Sequence, residues 1–381
     1  MKKISARLSR FPEYIFSRLA KKVKEVELKT GKKVLDLGAG SPDFPPSPLY
    51  VKKLQELFTN KKAHMYPGYG PLPEFTNSMV LWYKKRFGVT LEKNEIFSLC
   101  GGKDGLGHVA LALFDDGDEV LMPNPGYPGF SGPTLLVGAE PVFYDLLPKN
   151  NFKPSLTNMQ KKVTKKTVAM WLNFPGNPTG QVMTKKELIP FVKFAQKNNI
   201  WLLYDNAYSE ITFDGFVAPS IFEIPGAKEI AVEFGTFSKM FSFAGYRIGW
   251  VAGNVEIINA LAKVKSQIDS GLTRPFQLLA SYALDNVDIH WQKEMITSYK
   301  NRRDEISKLL DHLGLTYNLS KGSLYIWAQI PHEAIDSESW STELLEKKQI
   351  LLTPGTAFGE NGRRYVRASI CTNIDEIKNY Y

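Results

Sequence analysis

The sequence predicts an α/β fold: a mostly parallel sheet covered by helices on both faces, followed by a smaller α+β unit. Three observations carry this. Between residues 96 and 252, short β-rich apolar runs alternate with stretches of helical period, and parallel strands need such crossovers between them. After about residue 270 the alternation stops and long helical stretches dominate. Glycine, proline and polar residues follow the apolar runs directly, and open α/β sheets bind ligands just beyond the carboxyl ends of their strands.

The elements follow in order. A helical pattern over 15–30 and a strand over 34–37 open the chain and are expected to pack on the second unit. Strands of the sheet are expected at 96–100, 119–122, 141–145, 168–173, 201–204, 230–233 and 248–252, where β-branched and aromatic residues concentrate. Helices with an apolar face are expected at 103–114, near 129–137 and at 185–198. The second unit then reads as helices over 276–285 and 288–312, strands over 323–329 and 366–370, and a helix near 341–348. The expected division is an N-terminal arm that is part of the small domain (1–45), a large domain (46–280) and a C-terminal small domain (281–381).

The 381 residues, 43% hydrophobic and 23% charged, are ordinary for a globular protein with two cores. No apolar run approaches the roughly 20 residues that span a bilayer, so no membrane partner is expected. The basic N-terminus lacks an apolar signal-peptide core. The two cysteines, Cys100 and Cys371, cannot form a disulfide framework and have no zinc-site spacing. A cytoplasmic location and no metal are expected. The net charge of +9 raises nucleic acid as a partner, but the lysines are scattered in pairs such as Lys52-Lys53, Lys84-Lys85 and Lys161-Lys162. A solvated cationic surface that favours anionic small molecules is the expectation.

Lys239 carries the most chemical information. It lies in a small and aromatic stretch, flanked by Thr236 and Ser238, with Arg247 eight residues on. A partly desolvated amine can form a Schiff base with an aldehyde, and the hydroxyls with an arginine can hold a phosphate. Together these point to pyridoxal 5'-phosphate (PLP). A solvated lysine at a strand-to-helix turn is the plainer alternative. Cys100-Gly101-Gly102-Lys103 joins a strand to a helix, where backbone N–H groups can meet an anion; a simple tight turn also explains it. Asn177-Pro178-Thr179-Gly180 is a good β-turn that can also aim the Asn177 amide at a cofactor ring. Asp205 ends a buried strand, where it can cap a helix or hold a proton on a pyridine nitrogen. Tyr208 follows three residues on. Gly38, Gly40 and Asp43 read Gly-x-Gly-x-x-Asp, so the dinucleotide fingerprint is absent.

Gly101-Gly102-Lys103, Asn-Pro-Thr-Gly, Asp-x-x-Tyr, Ser-Lys with Arg eight residues on, and Arg367 in Tyr-Val-Arg-Ala-Ser occur in this order. As a set they resemble the class I/II aminotransferases, fold-type I PLP enzymes, from about residue 10 to 375. The resemblance implies a seven-stranded, mostly parallel sheet sandwiched by helices, and transamination between an amino acid and a 2-oxo acid. It implies Lys239 as the cofactor-bearing lysine and proton carrier, Asp205 as the pyridinium partner, and Tyr208 and Asn177 at the ring oxygen. Tyr127 then stacks on the ring, while Gly102, Lys103, Thr236, Ser238 and Arg247 hold the phosphate. Tyr66 reaches the phosphate of a neighbouring subunit, which implies a homodimer with shared active sites. Arg367 binds the substrate α-carboxylate, and Gly40 contacts it through its backbone. Thr236 replaces a commoner serine, Tyr246 stands where tryptophan is frequent, and the last helix is short for the family.

Segments 10–16, 82–89 and 204–211 resemble most the subgroup of LL-diaminopimelate, alanine and aspartate aminotransferases, with 2-oxoglutarate or pyruvate as acceptor. A β-lyase or a decarboxylase uses the same kind of site and remains an alternative. A PLP-binding transcription regulator needs an added DNA-binding domain, for which residues 1–40 are too short.

Overall fold

A computed structural model of the chain describes residues 5–10 and 15–380. Residues 1–4, 11–14 and 381 lie outside it, and with them part of the 10–16 segment and of the N-terminal reading.

The expected sheet is present with seven strands. Edge to edge they are Ile96–Leu99, Gly249–Gly253, Ala231–Thr236, Trp201–Asp205, Thr167–Asn173, Glu119–Asn124 and Glu140–Asp145. Six run parallel, and Gly249–Gly253 runs antiparallel to both its neighbours. The inner strands are apolar on both faces because helices cover both, as a parallel sheet requires. Away from the strand ends, Glu233 places a charge in this layer. Its carboxylate is 1% exposed and accepts from the Tyr83 hydroxyl (2.8 Å), the Ser220 hydroxyl (2.9 Å) and the Ile221 N–H (2.9 Å).

One core lies between the sheet and the helices Gly102–Leu113 and Val255–Lys265, built from Leu106, Val109, Trp171, Phe234 and Leu261. The larger core covers the other face and continues into the second unit through Trp250, Tyr299 and Ile326. Local signals set most helix ends. Lys185–Asn198 starts on a Thr184/Glu187 capping box and ends on Asn199 at φ 51°.

The second unit holds a four-stranded antiparallel sheet in the order Thr353–Pro354, Tyr365–Ser369, Tyr325–Gln329, Thr316–Tyr317, beside the long helix Ile289–His312. Leu35–Asp36 pairs in parallel with Ile350–Leu351, so the start of the chain joins this unit. Some boundaries differ from expectation. The helix expected near 341–348 begins at Ser337, because the Asp336 carboxylate accepts from the Ser339 N–H at 2.9 Å. The strand expected from 323 begins at Tyr325, since Ser323 sits at φ 67°, outside strand geometry. The sequence reading missed Val255–Lys265, although Asn254 caps it by accepting from the Glu256 and Ile257 N–H groups.

Candidate active site

The strand ends open onto a cavity of about 680 Å³. Asp205 and Thr236 come from the ends of parallel strands. Arg247 precedes the antiparallel strand Gly249–Gly253, whose start lies beside Thr236. Tyr325 and Arg367 come from the second unit, and Gly40 from the chain's start. Gly40, Gly102, Lys103, Tyr127, Asn177, Asp205, Tyr208, Thr236, Ser238, Lys239, Arg247 and Arg367 all line this cavity. Tyr66 does not. It is 87% exposed on the outer surface.

Thr236 holds Lys239 in place. Its hydroxyl accepts from the Ser238 N–H at 3.1 Å and donates to the Ile248 carbonyl at 3.2 Å. That caps the one-turn helix Phe237–Met240 and ties it to the neighbouring strand. The Lys239 amine donates to the Gly40 carbonyl at 3.1 Å and lies 5.8 Å from the Tyr208 ring centre. Lys239 is half-buried and lines the cavity. Burial lowers its pKa to about 8; Cys371 opposes the shift, while Arg367 and Arg247 add to it.

Asp205 is 9% exposed, and its carboxylate accepts from the Ala207 N–H at 3.1 Å. Among the described residues it has no ion pair. Burial raises its pKa to about 7 against the pull of that N–H. Asn173 links this strand end to the next turn. Its NH2 donates to the Asp205 carbonyl (3.0 Å) and its amide oxygen accepts from the Asn177 N–H (2.8 Å). The Asn177 amide oxygen in turn accepts from Arg367 at 3.0 Å.

Arg367 is 2% exposed and also donates to the Gly38 carbonyl at 2.6 Å. Its guanidinium lies 4.1 Å from the Tyr325 ring, 4.7 Å from Phe358 and 5.2 Å from Phe16. Its buried Nε has no hydrogen-bond partner among the described residues. Aromatic faces on this scale stabilise a desolvated guanidinium. Tyr325 also meets the Tyr208 hydroxyl at 3.1 Å, and a Cβ at Gly40 would collide with the Tyr325 hydroxyl. The sequence reading missed Tyr325, because one aromatic on a strand is indistinguishable from core by pattern. The other end of the cavity is cationic. It gathers Lys103, Arg247 and the first turn of the helix Gly102–Leu113, with Gly101 as its cap. Arg247 donates to the Ala244 carbonyl at 2.7 Å. Tyr127 meets Phe130 edge to face at 5.5 Å.

Residues 32–380 match the family described as aminotransferase class I and II. The chain belongs to that family. This aminotransferase is 37% identical over 378 residues to an LL-diaminopimelate aminotransferase of Dehalococcoides mccartyi, covering 99% of this chain and 96% of that protein. Its fold matches the apo structure of BacF from Bacillus subtilis with a TM-score of 0.94 at 33% identity, covering 100% and 97% of the two chains. An aromatic aminotransferase of Pyrococcus horikoshii matches with a TM-score of 0.88 at 28% identity, over 94% and 96%. Class I and II aminotransferases are PLP enzymes, and the cavity fits that cofactor. A buried carboxylate without a cation, a partly neutral amine and a cationic helix N-terminus suit a pyridinium, an aldehyde and a phosphate respectively.

The three segments that resemble the diaminopimelate subgroup fall in different places. Segment 204–211 carries Asp205 and Tyr208. Segment 82–89 puts Trp82, Tyr83 and Val89 into the core and exposes Lys84 and Lys85; Trp82 meets Tyr83, Phe87 and Trp250 edge to face at 5.0, 5.2 and 5.5 Å. Of 10–16, Phe16 lines the cavity.

Proposed function

We propose that this PLP-dependent aminotransferase takes LL-diaminopimelate as amino donor, with aspartate or alanine as competing donors and 2-oxoglutarate or pyruvate as acceptor. The donor rests on the near full-length likeness to a relative of that name. The chemistry rests on one observation: Asp205, Lys239 and Arg367, each buried or enclosed, line the same cavity.

When bound, the cofactor supplies an electron sink that makes the donor's Cα–H acidic. Asp205 holds a proton at the pyridine nitrogen. Lys239 Nζ would anchor the cofactor, and its amine would carry the proton to and from the donor's Cα. Arg367 forks onto the α-carboxylate and fixes the donor's orientation, and the Gly40 backbone borders that site. Asn177, whose oxygen Arg367 occupies, and Tyr208 would address the ring oxygen, and Tyr127 would stack on the ring. Gly102, Lys103, Thr236, Ser238 and Arg247 hold the phosphate. Two copies form the working unit, with Tyr66 crossing to the partner's phosphate. The working division is 1–45 with 281–381 as small domain and 46–280 as large domain, in a cytoplasmic enzyme. Among the described residues no helix is long and apolar enough to cross a membrane.

Phe16, Leu19, Ala20 and Leu351 line part of the same cavity, which favours a donor with an apolar side chain as the second reading. A screen of LL-diaminopimelate, aspartate, alanine, leucine and phenylalanine against 2-oxoglutarate and pyruvate decides between them. Turnover of leucine or phenylalanine without LL-diaminopimelate would replace the first donor by the second. Donor breakdown without any acceptor would mean lyase or decarboxylase chemistry.

A further inference from the structure

We propose that Lys265, which lies outside the cavity, is a positioning residue for its phosphate end. This rests on the reading of Gly102 and Lys103 as phosphate ligands. Lys265 ends the helix Val255–Lys265 and is 1% exposed. Its ammonium donates to Asp104 Oδ2 at 2.8 Å and to Asp269 Oδ2 at 2.6 Å, with Cys100 Sγ at 3.9 Å. Cys100, Asp104 and Asp269 converge as the ligands of a cation would, and the lysine is that cation.

Asp104 follows Lys103 directly and turns back from the cavity. Its Oδ2 also accepts from the Cys100 N–H at 2.9 Å, and its Oδ1 lies 3.1 Å from His108 Nδ1. The carboxylate thus closes the Cys100–Asp104 turn from behind. Burial would raise its pKa, but the His108 and Lys265 hydrogen bonds prevail and hold it at about 2. The other limb runs through Asp269. Its Oδ1 accepts from the Gly271 N–H at 2.7 Å. Gly271, at φ 86°, lies so close to the Tyr66 loop that a Cβ there would stand 2.6 Å from the Gly68 carbonyl oxygen. Lys265 therefore bolts the phosphate turn to the segment that seats that loop. Without it, two half-buried carboxylates face each other with His108 beside them, 3.1 Å from Asp104 and 3.8 Å from Asp269, like charges at close range disfavour the arrangement, and the turn relaxes.

The test compares PLP with pyridoxal, which lacks the phosphate. Each is titrated into cofactor-free protein and followed by absorbance. Lys265→Met should raise the Kd for PLP roughly tenfold, the lower range for losing an outer support of a bound group, and leave the Kd for pyridoxal unchanged. A fold-wide weakening moves both together, and that result, or no change in either, overturns the proposal. If Lys265→Met does not fold, Asp269→Asn keeps the shape and should shift the ratio of the two constants in the same direction; an unshifted ratio overturns the proposal. Wild-type protein that binds both compounds equally would instead remove the phosphate-end reading, and this proposal with it.

Discussion

Asp205 is a buried carboxylate that accepts from one backbone N–H, that of Ala207. Its folded pKa of about 7 exceeds its ordinary 3.8, so the folded cofactor-free protein keeps a proton that the unfolded chain releases from about pH 4 upward. Stability should therefore fall as pH rises from about 4 to 7. The loss is about 2–4 kcal/mol, the upper figure being the whole difference at 1.36 kcal/mol per unit. Thermal melts of cofactor-free wild type and Asp205→Asn across that window should converge at low pH and separate above it, with the variant the more stable. Glu233 shares the direction, so it is the difference between the two proteins that reports Asp205. In the loaded enzyme the same change should lower kcat by roughly 10²–10³, the scale of one lost preorganised electrostatic contact; near-normal turnover removes Asp205 from the mechanism. For Lys239, burial brings the pKa down to about 8. Reductive methylation of cofactor-free protein should reach half its limiting rate at this lysine near pH 8, while solvent-exposed lysines lag by about two pH units. Borohydride treatment of loaded protein should label Lys239, and Lys239→Ala should still bind PLP without covalent attachment. These residues were legible because Asp205 ends an apolar run and Lys239 follows one behind Thr236 and Ser238. Tyr325 and the Thr236 cap were not, since their roles depend on partners distant in the sequence or on backbone geometry.

At the scale of elements, Asn173 carries more than its strand-end position suggested. One amide joins the end of Thr167–Asn173 to the end of Trp201–Asp205, and also holds the turn whose Asn177 meets Arg367. Asn173→Ala should cost about 2 kcal/mol in a denaturant melt, two buried hydrogen bonds at about 1 kcal/mol each. It should also raise KM, because the Arg367 partner shifts. Unchanged stability and KM would show that the amide is dispensable. Strand positions were readable from their apolar runs, but the direction of Gly249–Gly253 was not. A strand buried on both faces looks the same in either sense, and only pairing with Ile96–Leu99 and Ala231–Thr236 decides it. The helix Val255–Lys265 was overlooked because its signal, an Asn cap before paired isoleucines, sits where the strand reading ended.

Across the whole molecule, Arg367 reaches the cavity from the second unit and therefore reports how the two parts meet. Arg367→Lys loses the planar fork and its aromatic stack. It should weaken every donor and acceptor together, by roughly 2–5 kcal/mol in kcat/KM, without changing their order. Loss of dicarboxylic substrates alone would move the α-carboxylate role elsewhere. Met65, Tyr66 and Tyr69 stand exposed together; sedimentation should find the active species dimeric, and an active monomer would remove Tyr66 from the site. Two-part architecture was visible in the change of pattern after residue 270. The pairing of Leu35–Asp36 with Ile350–Leu351 was only an expectation of packing, because a two-residue strand has no periodicity to read.

The chain's reversal between Thr236 and Gly249 also sets a timetable for synthesis. One continuous stretch delivers Thr236, Ser238, Lys239 and Arg247, and Asp205 has already left the ribosome by then. Arg367 emerges far later, on a strand that needs Tyr325–Gln329 as its neighbour. The chain up to Lys265 therefore carries Asp205, Thr236, Ser238, Lys239 and Arg247 but neither Tyr325 nor Arg367. The cavity is thus assembled from stretches of chain made at different times, and its lining is complete only once Arg367 has joined it.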